Sequence, residues 1–253
     1  MNVLFFTKPK KHTLECIKFL VEVGAEICGV VIYNKDSYLE TDFVKYCASK
    51  NLAVYDGEDV YNHIDDFRDN LDVVFCNTYP KLIKNEILDM AKEGGFNFHM
   101  APLPEYKGVF GFNFAIYNEE RKYGVTCHKL SEQFDEGELI KVVYFEIDAK
   151  NITVMELVKE SEKQTLELFK QIYYALEAGE SLKGIPQEGG CYYSRRKFEE
   201  LKRISEGDSE AEIERKIRAF WYPPYEGAYT VINGKKYTVV DEKILSRMNQ
   251  DEQ

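Results

Sequence analysis

Apolar positions near the start of the chain fall into short, nearly continuous runs separated by stretches of helical spacing. Asn2 to Phe6 is such a run and ends at a lysine-rich loop; Leu14, Ile17, Leu20 and Val21 then recur at helical intervals until Gly24. Glu26 to Tyr33 is β-branched and almost wholly apolar, the texture of a strand covered on both faces of a parallel sheet. Phe43 to Ala48 reads as a helix, Ala53 to Tyr55 as a short strand and Asp72 to Asn77 as another buried strand. The resulting βαβαβ order predicts an α/β protein with a doubly wound, mostly parallel sheet, in which ligands gather at the carboxyl ends of the strands.

Further on, Phe96 to His99 predicts a strand, Phe112 to Tyr117 a helix, and Tyr123 to Lys129 and Glu138 to Ile147 two more strands. Val154, Leu157, Val158, Leu166, Phe169, Ile172 and Tyr173 then form the apolar stripe of a long helix that stops at Gly179. From Ile185 the texture changes to Pro186, Gly189-Gly190, the basic YYSRRKFEELKR and the aromatic FWYPPYEGAY. A boundary is therefore placed here, with a main domain over 1–185 and a small C-terminal region over 186–253 holding a helix and a β-hairpin. The hairpin signal is Val231-Ile232, Asn233-Gly234 and Tyr237 to Val240, because Asn-Gly favours the type I′ turn. The tail after Asp241 is expected to be mobile.

Composition narrows the function classes. With 253 residues and 44% hydrophobic content the chain can bury a full core. Its formal net charge of -11 works against long-range attraction to a nucleic acid. The six cysteines are scattered, with no C-x-x-C pair, which fits reduced thiols in a cytosolic protein. No apolar stretch reaches membrane-spanning length. The loop after the first strand, FFTKPKKH, has no glycine to let a backbone approach a pyrophosphate, which disfavours nicotinamide or ATP chemistry. No metal is expected, since His12, His63 and His128 show no ligand spacing.

The segment from Asn97 to Asp135 carries the candidate chemistry. Asn97 and His99 are two apart at a strand end and so share a face. An amide donor for a developing oxyanion, an imidazole base and the carboxylate of Asp135 to orient it are the three roles acyl transfer needs. The words around them, NFHMAPLPEYKG, YGVTCHKL and FDEGELI, resemble the core of the folate-dependent formyltransferases, whose shared pattern is Asn-x-His, a Leu-Pro turn, Tyr/Trp-Arg/Lys-Gly, Gly-Val-Thr and Asp-x-Gly. The resemblance runs from about Asp72 to the FWYPPYEGAY segment.

That resemblance implies a Rossmann-like sheet, Asn97, His99 and Asp135 as the catalytic trio, and 10-formyltetrahydrofolate as formyl donor. It places the donor against Tyr79, Pro80, Lys81, Leu82 and Ile83 and against Pro102, Leu103 and Pro104, with a cis Leu103–Pro104 bond holding the turn. The segments after the core are similar to those of sugar N-formyltransferases, which formylate a 3- or 4-amino deoxyhexose on a nucleoside diphosphate, often a dTDP sugar destined for surface glycans such as lipopolysaccharide. The acceptor is then expected against Lys8, Lys10, Tyr106, Lys107, Gly108, Tyr193, Arg195, Arg196, Tyr222 and Tyr225: rings for a base, cations for a pyrophosphate. The aromatic run serves equally well as a packing clamp, and the SRRK cluster as a solvated face. His128 is expected to be a satisfied or surface histidine and Cys127 plain core. A homodimer through the C-terminal region is a further expectation. The rivals are a methionyl-tRNA formyltransferase-like enzyme, a hydrolase of the formyl donor, and an inert folate- or sugar-nucleotide-binding subunit.

Overall fold

The computed structural model describes residues 1–251. In chain order the first elements are β1 (Asn2–Thr7), α1 (Lys11–Glu22), β2 (Glu26–Ile32), α2 (Asp42–Ser49), β3 (Val54–Asp56), β4 (Val73–Asn77), α3 (Asn85–Leu88) and β5 (Gly95–His99). They are followed by β6 (Lys107–Gly108), α4 (Gly111–Tyr117), β7 (Lys122–Lys129), β8 (Leu139–Glu146) and α5 (Val154–Glu177). Last come β9 (Tyr192–Tyr193), α6 (Arg195–Lys202), α7 (Glu210–Phe220), β10 (Tyr229–Ile232), β11 (Lys235–Thr238) and α8 (Glu242–Asp251). Two 3₁₀ segments, Lys35–Tyr38 and Asp59–Asp66, complete the connections. In the stretch after Asp241, expected to be mobile, Glu242–Asp251 form a helix, which Asp241 starts by accepting from the Ile244 amide at 2.7 Å.

Seven strands form one sheet in the order β3-β2-β1-β4-β5-β7-β8. Pairing is parallel from β3 to β5 and antiparallel between β5 and β7. The strand order reverses between β1 and β4, so the loops after these two strands flank the topological switch point.

The chain divides into two compact units. The first comprises 1–103, 125–143 and 162–188; segments 104–124 and 144–161 cluster with 189–253 in the second, a grouping that reading in chain order does not give. Within the first unit alternation along the strands builds two layers. Phe5, Phe75 and Phe98 turn to α5, where their rings lie 5.8, 5.0 and 5.1 Å from Phe169. Leu4, Phe6, Val74 and Cys76 turn the other way into a core with Val60, Phe67 and Ile87. Because Phe98 is committed to α5, its neighbours Asn97 and His99 project from the opposite face.

Within the second unit β6 pairs with β9, and β10 with β11 across Asn233-Gly234, both at positive φ (51° and 76°) as the Asn-Gly turn requires. Among the described residues the cis peptide bond is Pro223–Pro224, so the expected cis Leu103–Pro104 bond is not formed. Another device holds that turn. The fully buried Thr126 donates its hydroxyl to the Ala101 carbonyl (2.8 Å) and accepts from the Leu103 amide (3.0 Å), tying both ends of the turn to β7.

Thr126→Val keeps the shape of the side chain but strands both backbone groups. The expected loss is about 1–3 kcal/mol, read as a lowered urea midpoint; a midpoint equal to wild type would show that the turn does not depend on this hydroxyl.

Candidate active site

Asn97 and His99 occupy the carboxyl end of β5, and the antiparallel register sets Asn97 opposite His128 and His99 opposite Thr126 on β7. Directly opposed residues share a face, so two histidines and an amide converge there. His128 Nδ1 donates to the Lys129 carbonyl at 2.8 Å, which leaves Nε2 to accept from Asn97 Nδ2 at 2.9 Å. This pairing fixes one neutral tautomer of His128 and the orientation of the Asn97 amide. Burial, followed by the charge of His99, pushes the His128 pKa down to about 4.

Asp135 completes the group. Its Oδ1 lies 3.4 Å from His99 Nδ1 and 3.9 Å from His128 Nε2, with side chains only 13% exposed for Asp135 and 16% for His99. The four side chains thus form one linked run, Asn97 to His128 to Asp135 to His99. Asp135 adopts a left-handed backbone with φ 58°, and two residues later Gly137 passes so close to Lys129 that a Cβ there would overlap the Lys129 carbonyl. That carbonyl is the acceptor for His128, so the glycine of Asp-x-Gly is needed to let the loop reach the histidine. Cys76, on the same face of β4, is a buried thiol raised to about 12 by desolvation, with the charge of Asp135 adding to the effect, which excludes it as a nucleophile at neutral pH.

The other residues singled out from the sequence are placed as follows. Tyr79 packs edge-on against Phe6 (5.1 Å) and its burial raises its pKa; Lys81 lies over the Tyr33 ring at 5.1 Å. Pro80, Lys81 and Leu82 are exposed, Pro102, Leu103 and Ile83 are buried and Pro104 is half-buried. Lys8 and Lys10 are exposed at the carboxyl end of β1.

In the second unit Tyr106 and Tyr193 are buried and stacked, 5.0 Å apart at 13°. Asn118 Nδ2 binds both hydroxyls (3.1 and 3.2 Å), and Tyr106 donates to Glu120 at 2.8 Å. Lys107 and Gly108 make up β6, pairing with Tyr192 and Tyr193. Arg195 covers the Phe110 ring at 5.2 Å and Arg196 pairs with Glu200 at 2.8 Å. Tyr222 and Tyr225 lie with ring centres 5.6 Å apart, and Tyr225 is 64% exposed. A cavity of about 740 Å³, edged by Glu119, Lys150, Arg215, Arg218 and Lys243, contains none of the residues predicted for the site.

Two site residues escaped the sequence reading. His128 is satisfied, as expected, but it also orients Asn97; the register that places it there is set by pairing between segments about thirty residues apart. Gln187 donates to the carbonyls of Asp135 and Gly137, both at 2.7 Å, and nothing local in the sequence marks it. Among the described residues no cluster of three or more His, Cys, Asp or Glu could hold a metal ion, and no helix is long and apolar enough to cross a membrane.

The depressed His128 pKa has a consequence for stability. On acidification the unfolded imidazole titrates near 6.5 while the folded one stays neutral to about 4, so the unfolded chain binds more protons and stability is lost as pH falls through that window. The expected contribution is a few kcal/mol. Urea midpoints between pH 7 and pH 5 should fall more steeply for wild type than for His128→Gln; parallel profiles would contradict the assignment.

Comparison with known proteins relates the chain to formyltransferases. GDP-perosamine N-formyltransferase of Brucella melitensis is 26% identical over 229 residues, covering 88% of this chain and 86% of that protein. Methionyl-tRNA formyltransferase of Clostridioides difficile is 27% identical over 254 residues, covering 97% and 81%. The fold is shared with an N-formyltransferase from Helicobacter canadensis in complex with folinic acid and dTDP-3-aminofucose, at TM-score 0.72 and 21% identity over 93% of this chain and 85% of that one. Residues 41–172, just over half of the chain, match the family described as formyl transferase, with β5, β7 and all four linked side chains inside the match. The chain belongs to the formyl transferase family.

Proposed function

We propose that this protein transfers a formyl group from 10-formyltetrahydrofolate to the amino group of a nucleotide-linked 3- or 4-amino deoxyhexose, a dTDP sugar in the first instance. The observation that carries this reading is the approach of Asn97, His99 and Asp135 on one face at the carboxyl end of β5. The names of the relatives support the two substrates: one acts on GDP-perosamine, and another was crystallised with a folate and a dTDP-linked amino sugar.

In the reaction the acceptor amine must be neutral to attack, and at pH 7 an alkyl amine is mostly protonated. Its nitrogen adds to the formyl carbon, and the carbonyl oxygen takes up negative charge. Asn97, its amide already oriented by His128, donates to that oxygen; because the donor is aligned beforehand, little reorganisation accompanies the charge. The amine proton passes to the His99–Asp135 pair, in which the carboxylate faces Nδ1 and Nε2 serves the reacting groups. Collapse of the adduct breaks the bond to folate N10, which receives the proton.

Donor contacts are assigned to the loop after β4, Tyr79 to Ile83, and to the turn at Leu103 and Pro104, because both lie at carboxyl ends of strands. Acceptor contacts are assigned to Lys8 and Lys10 after β1 and, in the second unit, to the segment from Tyr106 to Gly108, Tyr193, Arg195, Arg196, Tyr222 and Tyr225. Of these the exposed Tyr225 ring and the lysines are the better suited, since Tyr106 and Tyr193 are taken up in packing. A cytosolic place and a role in surface-glycan synthesis follow from such a substrate. The exposed Val231, Ile232 and Tyr237 of the hairpin support a homodimer through the C-terminal region. Likeness to a methionyl-tRNA formyltransferase gives a second reading, against which stands the net charge of -11.

The test is incubation with 10-formyltetrahydrofolate and, separately, dTDP- and GDP-linked 3- and 4-amino sugars and methionyl-tRNA. The expected result is a mass gain of one formyl group on a sugar nucleotide. Formate release indifferent to every acceptor would make the protein a hydrolase. Asn97→Ala and His99→Ala should each lower kcat by about 10²- to 10³-fold, and wild-type turnover by His99→Ala would refute the mechanism.

A further inference from the structure

The chain beyond α5 returns across the loop that carries Asp135. Ile185 and Leu139 exchange backbone hydrogen bonds of 2.9 and 2.8 Å as an antiparallel bridge. Next to it Gly184 lies so close to Glu138 that a Cβ would overlap its side chain. Continuing the register by two residues sets Gln187 opposite Gly137, and at that point backbone pairing gives way to a side chain. The Gln187 Nε2 donates to the Asp135 carbonyl and to the Gly137 carbonyl, each at 2.7 Å. Both partners are acceptors only, so the amide has one possible orientation. Its oxygen is buried.

Asp135 needs such a clamp. A non-glycine residue at φ 58° is held in a conformation that an isolated chain seldom adopts, and it persists only where its surroundings over-determine it. Gln187 grips the carbonyl of the left-handed residue itself and the one two positions later. The loop cannot relax without breaking two short hydrogen bonds inside a half-buried site.

We infer that Gln187 is a positioning residue for formyl transfer: its amide fixes the loop so that the Asp135 carboxylate stays within reach of His99. This rests on the reading of Asp135 as the carboxylate of the catalytic trio. Gln187 acts through Asp135 and touches neither substrate.

The experiment measures steady-state kinetics of formyl transfer for Gln187→Ala, Gln187→Met, Asp135→Asn and the double variants, with thermal unfolding of each. Gln187→Met keeps the bulk and removes both N–H donors, so it carries the test if Gln187→Ala does not fold. The expected result is a kcat lowered about 10- to 100-fold in the single Gln187 variants, with KM for donor and acceptor within about twofold of wild type. In the Asp135→Asn background the same substitutions should cost nothing further, because a residue acting only through Asp135 has nothing left to position. Losses that multiply in the double variants, or an unchanged kcat in Gln187→Met while Asp135→Asn is impaired, would overturn the inference alone. Wild-type turnover in Asp135→Asn would overturn the reading of Asp135 as well.

Discussion

The antiparallel pairing of β5 with β7 is the constraint on which the site depends. Every pairing from β3 to β5 is parallel, and a parallel neighbour could not set both Asn97 across from His128 and His99 across from Thr126 in one register. This one reversal yields two results. It delivers the acceptor that orients the Asn97 amide, and it brings the Thr126 hydroxyl to the turn that follows β5. The same alternation sends Phe96, Phe98 and Cys127 to the other side, so the strand that displays the polar groups is anchored by aromatic packing behind them.

A site built from half-buried polar groups is demanding, because each must be satisfied in a medium of low dielectric. His128 meets that demand by staying neutral, with one ring nitrogen donating and the other accepting. Asp135 meets it by facing His99 while the backbone around it is gripped by Gln187. Gly137 makes the close approach possible, so the spacing of Asp-x-Gly reflects a steric limit at the Lys129 carbonyl.

In the second unit the aromatic and basic residues that suggest a nucleotide site in sequence serve in large part to pack against one another. Tyr106 stacks on Tyr193 and Phe110 on Phe198, and Arg195, Lys197 and Lys202 lie over rings. Tyrosines suit this use because Asn118 Nδ2 can donate to both hydroxyl oxygens while the rings exclude water. A ring pair and a stacking platform have the same composition, and only burial separates them.

Local pattern determined much of this protein. The apolar runs located the seven strands of the main sheet to within a residue or two, the helical stripes marked α1 and α5, Asn233-Gly234 marked the hairpin, and Asn97-x-His99 at a strand end placed two polar groups on one face. These are properties of a few consecutive residues, governed by periods of 2.0 and 3.6 and by turn chemistry. Tertiary structure decided the remainder. The register opposing Asn97 to His128, the Thr126 hydroxyl doing what a cis proline was expected to do, the discontinuous make-up of the two units and the reach of Gln187 onto a loop fifty residues earlier all depend on pairings between distant segments. No local preference encodes such pairings, because each needs two segments that meet only in the folded chain.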